Sequence, residues 1–330
     1  FTRTIYMIKY LLLSSLIFIM CSCGDPTEKG QYKLRLAHLA NEKNTWHLAA
    51  LKFKELVEER SQEKILVQVY PNSQLGGEMD LINSVQIGAV DLTISGESLQ
   101  NWAPKAALLA VPYLFNSSED MRNTASGEVG KEIEEEIREK AGLLPLTWFE
   151  RGPRHLTSNR PILTPSELKG LKLRVPNVPL FLKVWQGLGA KPIPMSFGEV
   201  FTSLQQNTIE GQENPISLIH SASFFEVQKH VNLTAHVRSW IYLVMGEEKF
   251  KAFPPHLQAI IKKAAQDTQN YERSLFLKEE NELSEKLRQH GMTFTQSDVK
   301  AFSSKAKPII LQSLNEDQSR LFNKIQSAKR

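Results

Sequence analysis

The chain has 330 residues, of which 23% are charged and 41% hydrophobic, and its formal net charge is +4. This length exceeds what one hydrophobic core usually serves, so two domains are expected. Basic and acidic residues are interspersed, without the concentrated basic face that is typical of nucleic-acid-binding proteins. The composition therefore predicts no nucleic-acid partner.

Residues 1–23 contain a signal for export. From Met7 the segment has a short basic start and an apolar run that ends in small residues and cysteine, which is too short to predict a membrane span. Its end is similar to a bacterial lipobox, so we expect lipidation of Cys23, with Cys21 as the alternative. A plain signal peptide or an uncleaved anchor stays open, and the residues before Met7 are consistent with an upstream translation artefact. The polar segment 24–31 predicts a tether.

The sequence lacks the motifs that are typical of several common enzyme classes. Cys21 and Cys23 are the only cysteines, so no structural disulfide or thiol chemistry is expected in the mature protein. The chain has no Gly-x-Ser-x-Gly, His-Glu-x-x-His or glycine-rich phosphate motif. His220, His230 and His236 are spaced neither for one helix face nor for a usual zinc site. We expect no enzyme activity, no metal and no cofactor.

The folded chain begins with alternating strand and helix patterns. Period-two alternation predicts strands over Lys33–His38, Ile65–Tyr70 and Val90–Ser95, and helical spacing predicts helices over 45–59 and from Gln74–Glu78 to Ile87. The order strand, helix, strand, helix, strand indicates a parallel sheet.

A second unit of this kind begins with a strand near Arg154. Thr164–Glu167 follows as a helix start, with Pro165 at the first helical position. The apolar strand Trp240–Met245 is expected to return the chain to the first sheet. The helical pattern from Leu257 continues towards Gln289, and a helix of this length is expected to span both domains.

Arg174 is a candidate anchor for an organic anion. Leu171–Val175 alternates as a half-buried strand that Pro176 ends, which leaves Arg174 beside the carboxyl end of the strand. Ligands of open α/β sheets gather outside these ends. The planar fork of an arginine binds a carboxylate through two parallel hydrogen bonds. Arg154 is the second candidate for the same reason.

Several short sequence motifs together resemble those of one protein family. Tyr70–Gly76, Thr157–Arg160, Leu168–Asn177 and Gly211–Pro215 are similar to segments of the solute-binding proteins of tripartite ATP-independent periplasmic (TRAP) transporters, in the same order. The resemblance covers residues 32 to about 312. It implies an α/β periplasmic binding protein with two lobes that close on a ligand like a Venus flytrap, and a long helix that spans both lobes.

The resemblance also implies how the chain divides between the lobes. Lobe I is expected to comprise residues 32–152 and 240–279, and lobe II residues 153–239 and 280–330. Both lobes are therefore discontinuous, with approximate boundaries.

The site residues follow from positions that match the family. The resemblance implies that Arg174 pairs with the ligand carboxylate, and that further contacts come from Arg154, Asn214, Phe197, Glu78 and Asn177. His38 and His47, near the first strand and helix, are added as candidates. Each has an ordinary alternative: core packing for Phe197 and the histidines, turn formation for the asparagines, and a favourable acid in the first helical turn for Glu78.

Glu78 narrows the class of ligand. In a cleft it would repel a second carboxylate but would accept hydrogen bonds from hydroxyl groups. This favours a sugar acid such as D-glucuronate or D-galacturonate. A C4-dicarboxylate, sialic acid and a purely sensory or structural lipoprotein stay open as alternatives.

The resemblance implies the partners and the location. The closed receptor would dock on a small and a large TRAP membrane subunit that are driven by an ion gradient, commonly sodium. We expect a monomer in the periplasm of a Gram-negative-type bacterium, held at the membrane through its lipid anchor.

Overall fold

The fold is described from a computed structural model for residues 31–328, without the side chains of Glu280 and Asn281. The chain divides into two units, Phe1–Tyr32 and Lys33–Arg330. The predicted signal, both cysteines and the tether up to residue 30 lie outside the described residues. Among the helices of residues 31–328, none is long and apolar enough to cross a membrane.

The described residues form one nine-stranded sheet with helices around it. Its strands are β1 (Tyr32–Ala37), β2 (Ile65–Tyr70), β3 (Leu92–Ser95), β4 (Leu143–Ser158), β5 (Lys172–Val175), β6 (Lys191–Pro194), β7 (Gly211–Pro215), β8 (His230–Gly246) and β9 (Thr293–Thr295). The α-helices are α1 (Thr45–Arg60), α2 (Glu78–Gln86), α3 (Ser118–Ser126), α4 (Glu128–Ala141), α5 (Pro179–Leu188), α6 (Val200–Gln205), α7 (Ile216–Ser221), α8 (Glu247–Lys251), α9 (Pro255–Gln289), α10 (Val299–Ser313) and α11 (Glu316–Ala328). Short 3-10 helices lie at Glu97–Asn101, Pro104–Ala110, Pro165–Leu168, Phe197–Glu199 and Phe224–Glu226.

The strand order is β2-β1-β3-β8-β4-β7-β5-β6, with β9 beside β8. β1 and β3 are parallel, and β5 is parallel to both β6 and β7. The predicted α/β fold is therefore confirmed, with parallel pairs towards both ends of the sheet. In the middle, the long strands β4 and β8 are antiparallel, which the strand and helix pattern did not predict.

β4 and β8 run through both halves of the sheet. Their register shifts once near the Leu143 end, between Pro145 and Thr147, and again on both sides of Arg154. Register shifts mark bulges, where a strand pair bends most easily. The two shifts around Arg154 lie next to the predicted lobe boundary at residues 152 and 153, and we propose that the strand pair bends there.

Helix α9 is the long helix that the sequence predicts. Its 35 residues correspond to about 52 Å at the rise of an α-helix. It packs against α1, β4 and α7, which belong to both predicted lobes. A salt bridge of 2.8 Å from Arg60 to Asp267 joins it to the end of α1. The two-lobed fold with a shared helix is therefore confirmed.

The structure changes two local expectations. The predicted helix after Thr164 is only a 3-10 helix of four residues, although Thr164 and Glu167 form the capping box. Gly170, at a φ of +78°, turns the chain at once into β5. The final helix α11 contacts α4, with Arg320 Nη2 at 2.6 Å from Glu132 Oε2. We therefore propose that α11 belongs with lobe I, although it falls within the 280–330 segment of the predicted lobe II.

A buried polar cluster lies between β4 and α9. Among the described residues, Glu150 Oε1, Thr268 Oγ1 and both carboxylate oxygens of Glu272 are buried without a hydrogen-bond partner. Burial, followed by the charge of Glu150, raises the pKa of Glu272 well above its ordinary value. Glu150 has Arg122 at 3.5 Å, but no cation of residues 31–328 lies within salt-bridge distance of Glu272. The folded protein therefore favours a neutral Glu272.

Replacement of Glu272 by glutamine tests this arrangement. A raised pKa means that the stability contribution is present in full below the ordinary glutamate pKa and is lost as the pH rises through the raised one. Glutamine cannot ionise, so Glu272→Gln should raise the free energy of unfolding at about pH 8 by on the order of 1 to 3 kcal/mol. The gain should vanish near pH 4. Urea denaturation followed by circular dichroism measures both values.

Glu285→Gln is the matched control, because Glu285 is an exposed residue of the same helix. It should leave the stability unchanged at both pH values. A Glu272→Gln variant less stable than the wild type at about pH 8 would contradict the neutral-carboxyl interpretation.

Candidate functional site

A cleft encloses about 630 Å³ between the two lobes, including the space at its open mouth. Six of the eight predicted ligand-binding residues line it: Glu78, Arg154, Arg174, Asn177, Phe197 and Asn214. In the predicted division of the chain, Glu78 belongs to lobe I and the other five belong to lobe II. The sequence analysis thus named five of the ten polar side chains that line this cleft among the described residues.

Parallel strands place Arg174 and Asn214 on one wall. Arg174 lies opposite Gln212 where β5 pairs with β7, and Asn214 follows two residues later on β7. Pro176 and Pro215 come where the two strands end. Because β5 and β7 run in the same direction, their carboxyl ends meet at one edge of the sheet.

Arg174 is a buried cation without an acidic partner. Its Nε and Nη2 donate to the carbonyl oxygen of Met195 at 3.0 and 2.8 Å, and its Cζ lies 5.8 Å from the centre of the Phe197 ring. No carboxylate among the described residues lies within salt-bridge distance of it. Burial lowers the pKa of Arg174 to about 10, with Glu213 partly offsetting the effect. Arg174 therefore remains protonated at neutral pH, and no acidic side chain among the described residues pairs with it.

Arg154 lines the same cleft but is held by protein carboxylates. Its Nη2 donates to Glu213 Oε1 at 2.7 Å, and its Nη1 donates to Glu97 Oε1 at 3.0 Å. Burial would lower the pKa of Arg154, but the charges of Glu213 and Glu97 outweigh it and raise the pKa. The two predicted arginines therefore differ in availability, which their sequence settings did not reveal.

His236 contacts Glu213, the carboxylate that pairs with Arg154. His236 Nε2 lies 2.8 Å from Glu213 Oε2, and Thr234 Oγ1 lies 2.9 Å from His236 Nδ1. Burial lowers the pKa of His236 despite its contact with Glu213. The neutral ring then donates from Nε2 and accepts the threonine hydroxyl at Nδ1. Despite its burial, Glu213 has a pKa of about 2 because Arg154 and His236 stabilise its charge.

Glu97 and Arg151 are cleft residues that sequence reasoning missed. Glu97 accepts a hydrogen bond from Arg151 Nη2, and Arg151 Nε donates to Ser239 Oγ at 3.1 Å. Burial acts to raise the pKa of Glu97, but Arg151 and Arg154 lower it overall. Glu97 lies two residues beyond Ser95, the last residue of β3, so the rule that pointed to Arg174 could also have found it.

Glu78 forms part of the opposite wall. Ser95 Oγ donates to its Oε1 at 2.6 Å and Ser98 Oγ donates to its Oε2 at 2.8 Å. Burial and then the charge of Glu97 raise the pKa of Glu78, while the serine hydrogen bonds oppose the shift. The carboxyl group is therefore oriented by two hydroxyls, and a second anion beside it is disfavoured.

Phe197, Asn177 and Asn214 are the remaining predicted residues that line the cleft. Phe197 packs near Phe224, with ring centres 5.8 Å apart, and presents an aromatic wall beside Arg174. The carbonyl oxygen of Asn177 accepts a hydrogen bond of 2.9 Å from Asn101 Nδ2 on the opposite lobe. Asn214 Nδ2 donates to the side chain of Gln212 at 2.6 Å.

His38 and His47 are not brought to the cleft wall. His38 Nε2 lies 3.3 Å from His47 Nδ1, so the two rings contact each other. Burial, helped by His47, lowers the pKa of His38 to about 3, and burial also lowers the pKa of His47. Both rings are neutral at physiological pH. This arrangement fits the packing alternative and gives no support to the predicted ligand contact.

Within residues 31–328, no group of three or more His, Cys, Asp or Glu side chains could hold a metal ion.

Contacts also join the lobes at a second rim of the cleft, where Asn41 Nδ2 donates to the Ser221 carbonyl and Asn44 Nδ2 donates to Ser221 Oγ at 3.3 Å. The lobes therefore touch at both rims, as in a closed clamp.

The fold and cleft are those of a two-lobed extracytoplasmic binding protein, and sequence comparison agrees. The family model for bacterial extracellular solute-binding protein, family 7, matches residues 36–317. A solute-binding protein of Roseobacter denitrificans is 54% identical over 86% of this chain and 87% of its own length. The 2,3-diketo-L-gulonate-binding periplasmic protein of Escherichia coli is 36% identical over 82% and 83%.

Solved structures show the same architecture. The TRAP periplasmic solute-binding protein of Roseobacter denitrificans with bound L-galactonate has a TM-score of 0.88 and 52% identity, over 89% of this chain and 98% of that one. The corresponding protein of Xanthobacter autotrophicus with bound β-D-galacturonate has a TM-score of 0.86 and 28% identity, over 89% and 99%. The chain belongs to the family 7 extracellular solute-binding proteins. It is a receptor of a TRAP transporter and not an enzyme.

The different pairing of the two arginines gives a prediction for the ligand-free protein. Arg174→Met removes a buried cation that has no acidic partner, so the free energy of unfolding should rise by on the order of 1 to 3 kcal/mol. Arg154→Met leaves Glu97 and Glu213 without that partner and should lower it by roughly 3 to 5 kcal/mol. Urea denaturation of both variants measures the two signs. Equal losses of stability would show that Arg174 is compensated after all.

Proposed function

We propose that this receptor captures a six-carbon sugar acid through an ion pair between the ligand carboxylate and Arg174. The observation that carries the proposal is the pairing of the cleft arginines. Arg174 is 3% exposed and lines the cleft without an acidic partner among the described residues, whereas Arg154 is paired twice. Burying an unpaired charge is costly, and a carboxylate ligand removes that cost.

The opposite wall supports a ligand that carries hydroxyl groups. Glu78, Ser95 and Ser98 form a connected group of hydrogen-bonding oxygens on that wall. Hydroxyls can donate to the carboxyl oxygens and exchange hydrogen bonds with the serines. Phe197 covers the apolar face of a carbon chain or ring on the Arg174 side.

Relatives support L-galactonate as the first ligand to test. The Roseobacter denitrificans protein, at 52% identity, holds L-galactonate, and the Escherichia coli relative binds another six-carbon sugar acid, 2,3-diketo-L-gulonate. The Xanthobacter autotrophicus structure supports a uronate as the second candidate. D-galacturonate and D-glucuronate, which the sequence favoured, therefore remain in the proposal.

Capture proceeds by closure of the two lobes. The ligand enters an open cleft, its carboxylate meets Arg174, and contacts such as Asn101 with Asn177 form as the lobes approach each other. Closure excludes water, which strengthens the ion pair. The closed receptor then delivers the acid to the small and large membrane subunits of its transporter. It acts as a monomer.

The sequence adds a membrane anchor to this proposal. We expect the mature chain to carry lipid on Cys23 and to be found in the membrane fraction of cells. Cys23→Ser should move it to the soluble periplasmic fraction, as measured by immunoblotting of both fractions. Cys21→Ser is the control and should leave the distribution unchanged. The reverse outcome would identify Cys21 as the lipidated residue.

Ligand-induced thermal stabilisation, followed by calorimetry, tests the proposed function. L-galactonate or a hexuronate at about 100 times its dissociation constant should stabilise the folded domain by about 2.7 kcal/mol. Arg174→Met should weaken binding by on the order of 2 to 5 kcal/mol, because the ligand charge would be buried unpaired. Arg160→Met, which removes an exposed arginine of the same lobe, is the control.

Two outcomes would contradict the proposal. Binding of only a C4-dicarboxylate or sialic acid would keep the receptor and reject the proposed ligand class. A loss of less than about tenfold in Arg174→Met would reject Arg174 as the anchor, because tenfold corresponds to only about 1.4 kcal/mol.

A further inference from the structure

Within the described part of the chain, three arginines line the cleft, and one of them lacks an acidic partner. Arg151, Arg154 and Arg174 all line it. Glu97 contacts both Arg151 and Arg154, and Glu213 makes a second ion pair with Arg154. Arg174 therefore carries the charge that the protein leaves unpaired.

Arg151 depends on Glu97 for this balance. Its side chain is 4% exposed, and Glu97 is the one carboxylate within salt-bridge distance of it among the described residues. Its other recorded partner is the neutral hydroxyl of Ser239, with Nη2 at 2.6 Å. Without the charge of Glu97, Arg151 would become a second unpaired guanidinium in the cleft.

The charge balance of the cleft therefore matches a single anion. The three arginines contribute three positive charges, and Glu97 and Glu213, both with a lowered pKa, contribute two negative charges. Glu78 has a raised pKa, which favours its neutral form, and any ionisation of Glu78 would only reduce the positive charge further. At most one positive charge is left over. A ligand with two carboxylates would bring an additional negative charge into a buried site close to Glu97 and Glu78, which is unfavourable.

We propose that Glu97 is a specificity-determining residue: by neutralising Arg151 it restricts the cleft to acids with one carboxylate and excludes the corresponding diacids. The inference rests on the proposed function, since it concerns the second end of the sugar acid that Arg174 anchors. It assigns Glu97 a charge-setting role that acts through Arg151. Loss of the negative charge should therefore convert the cleft from a monoacid site into a diacid site.

Galactarate is the probe for this conversion. It is the diacid counterpart of L-galactonate, with a carboxylate in place of the terminal CH₂OH, and also of D-galacturonate, with a carboxylate in place of the aldehyde carbon. One diacid therefore matches both proposed ligands in carbon number and hydroxyl configuration. Isothermal titration calorimetry with L-galactonate, D-galacturonate and galactarate gives the ratio of monoacid to diacid affinity.

In the wild type, galactarate should bind at least about tenfold more weakly than the preferred monoacid, which is about 1.4 kcal/mol. In Glu97→Gln the affinity ratio should shift towards galactarate by at least about tenfold, because Arg151 becomes available to the second carboxylate. The double variant Glu97→Gln with Arg151→Met removes both charges of the pair. It should return the ratio to the wild-type value.

Glu150→Gln is the matched control. Glu150 is also a buried glutamate near two arginines, Arg122 at 3.5 Å and Arg273 at 3.9 Å, but it does not line the cleft. It directly precedes Arg151 in β4, so its replacement also controls for disturbance of that strand. The affinity ratio should stay at the wild-type value.

The possible failures are distinguishable. Wild-type protein that binds galactarate as tightly as the monoacid would overturn the role of Glu97 and leave the sugar-acid proposal intact. This comparison needs no variant, so it holds even if Glu97→Gln does not fold. A folded Glu97→Gln that loses both ligands equally, or a double variant that still gains galactarate, would also overturn the role. Wild-type protein that binds galactarate but neither monoacid would overturn the role of Glu97 and would also reject L-galactonate and the hexuronates as the ligands.

Discussion

The buried guanidinium of Arg174 is the constraint on which the site depends. A protein interior tolerates such a charge poorly, and among the described residues the carbonyl oxygen of Met195 is its one hydrogen-bond acceptor. The charge of the nearby Arg154, in contrast, is compensated by ion pairs with Glu97 and Glu213. The contrast between these neighbours supports the proposal that Arg174 is the residue that meets the ligand carboxylate.

The fold places Arg174 in the cleft and also connects the two lobes that enclose it. Parallel strands bring Arg174 and Asn214 to one edge, while β4 and β8 carry the chain between lobes through the irregular pairing around Arg154. The buried ion pairs of Arg151, Arg154 and Glu97 lie at this crossing, so the charges of the cleft lie beside the proposed lobe boundary. Such pairs add less to stability than to the definition of one geometry.

Much of this architecture could be predicted from local sequence patterns. Period-two strands such as Ile65–Tyr70 and the helix that ends at Gln289 follow from spacing alone, and Arg174 was found because Pro176 ends its strand. Contacts between distant residues could not be predicted in this way. The contact of Glu97 with Arg151 joins positions 54 residues apart, and no local pattern encodes it. The same limit concealed the long antiparallel pair of β4 and β8 and the packing of His38 on His47.

A crystal structure of the protein with bound L-galactonate or D-galacturonate would test the central claim most directly. The account predicts a carboxylate on the guanidinium of Arg174, with nitrogen to oxygen distances of about 2.7 to 2.9 Å and ideally two parallel hydrogen bonds. Arg154 should remain on Glu97 and Glu213. A carboxylate bound to Arg154 or Arg151, with Arg174 still on the Met195 carbonyl alone, would contradict it.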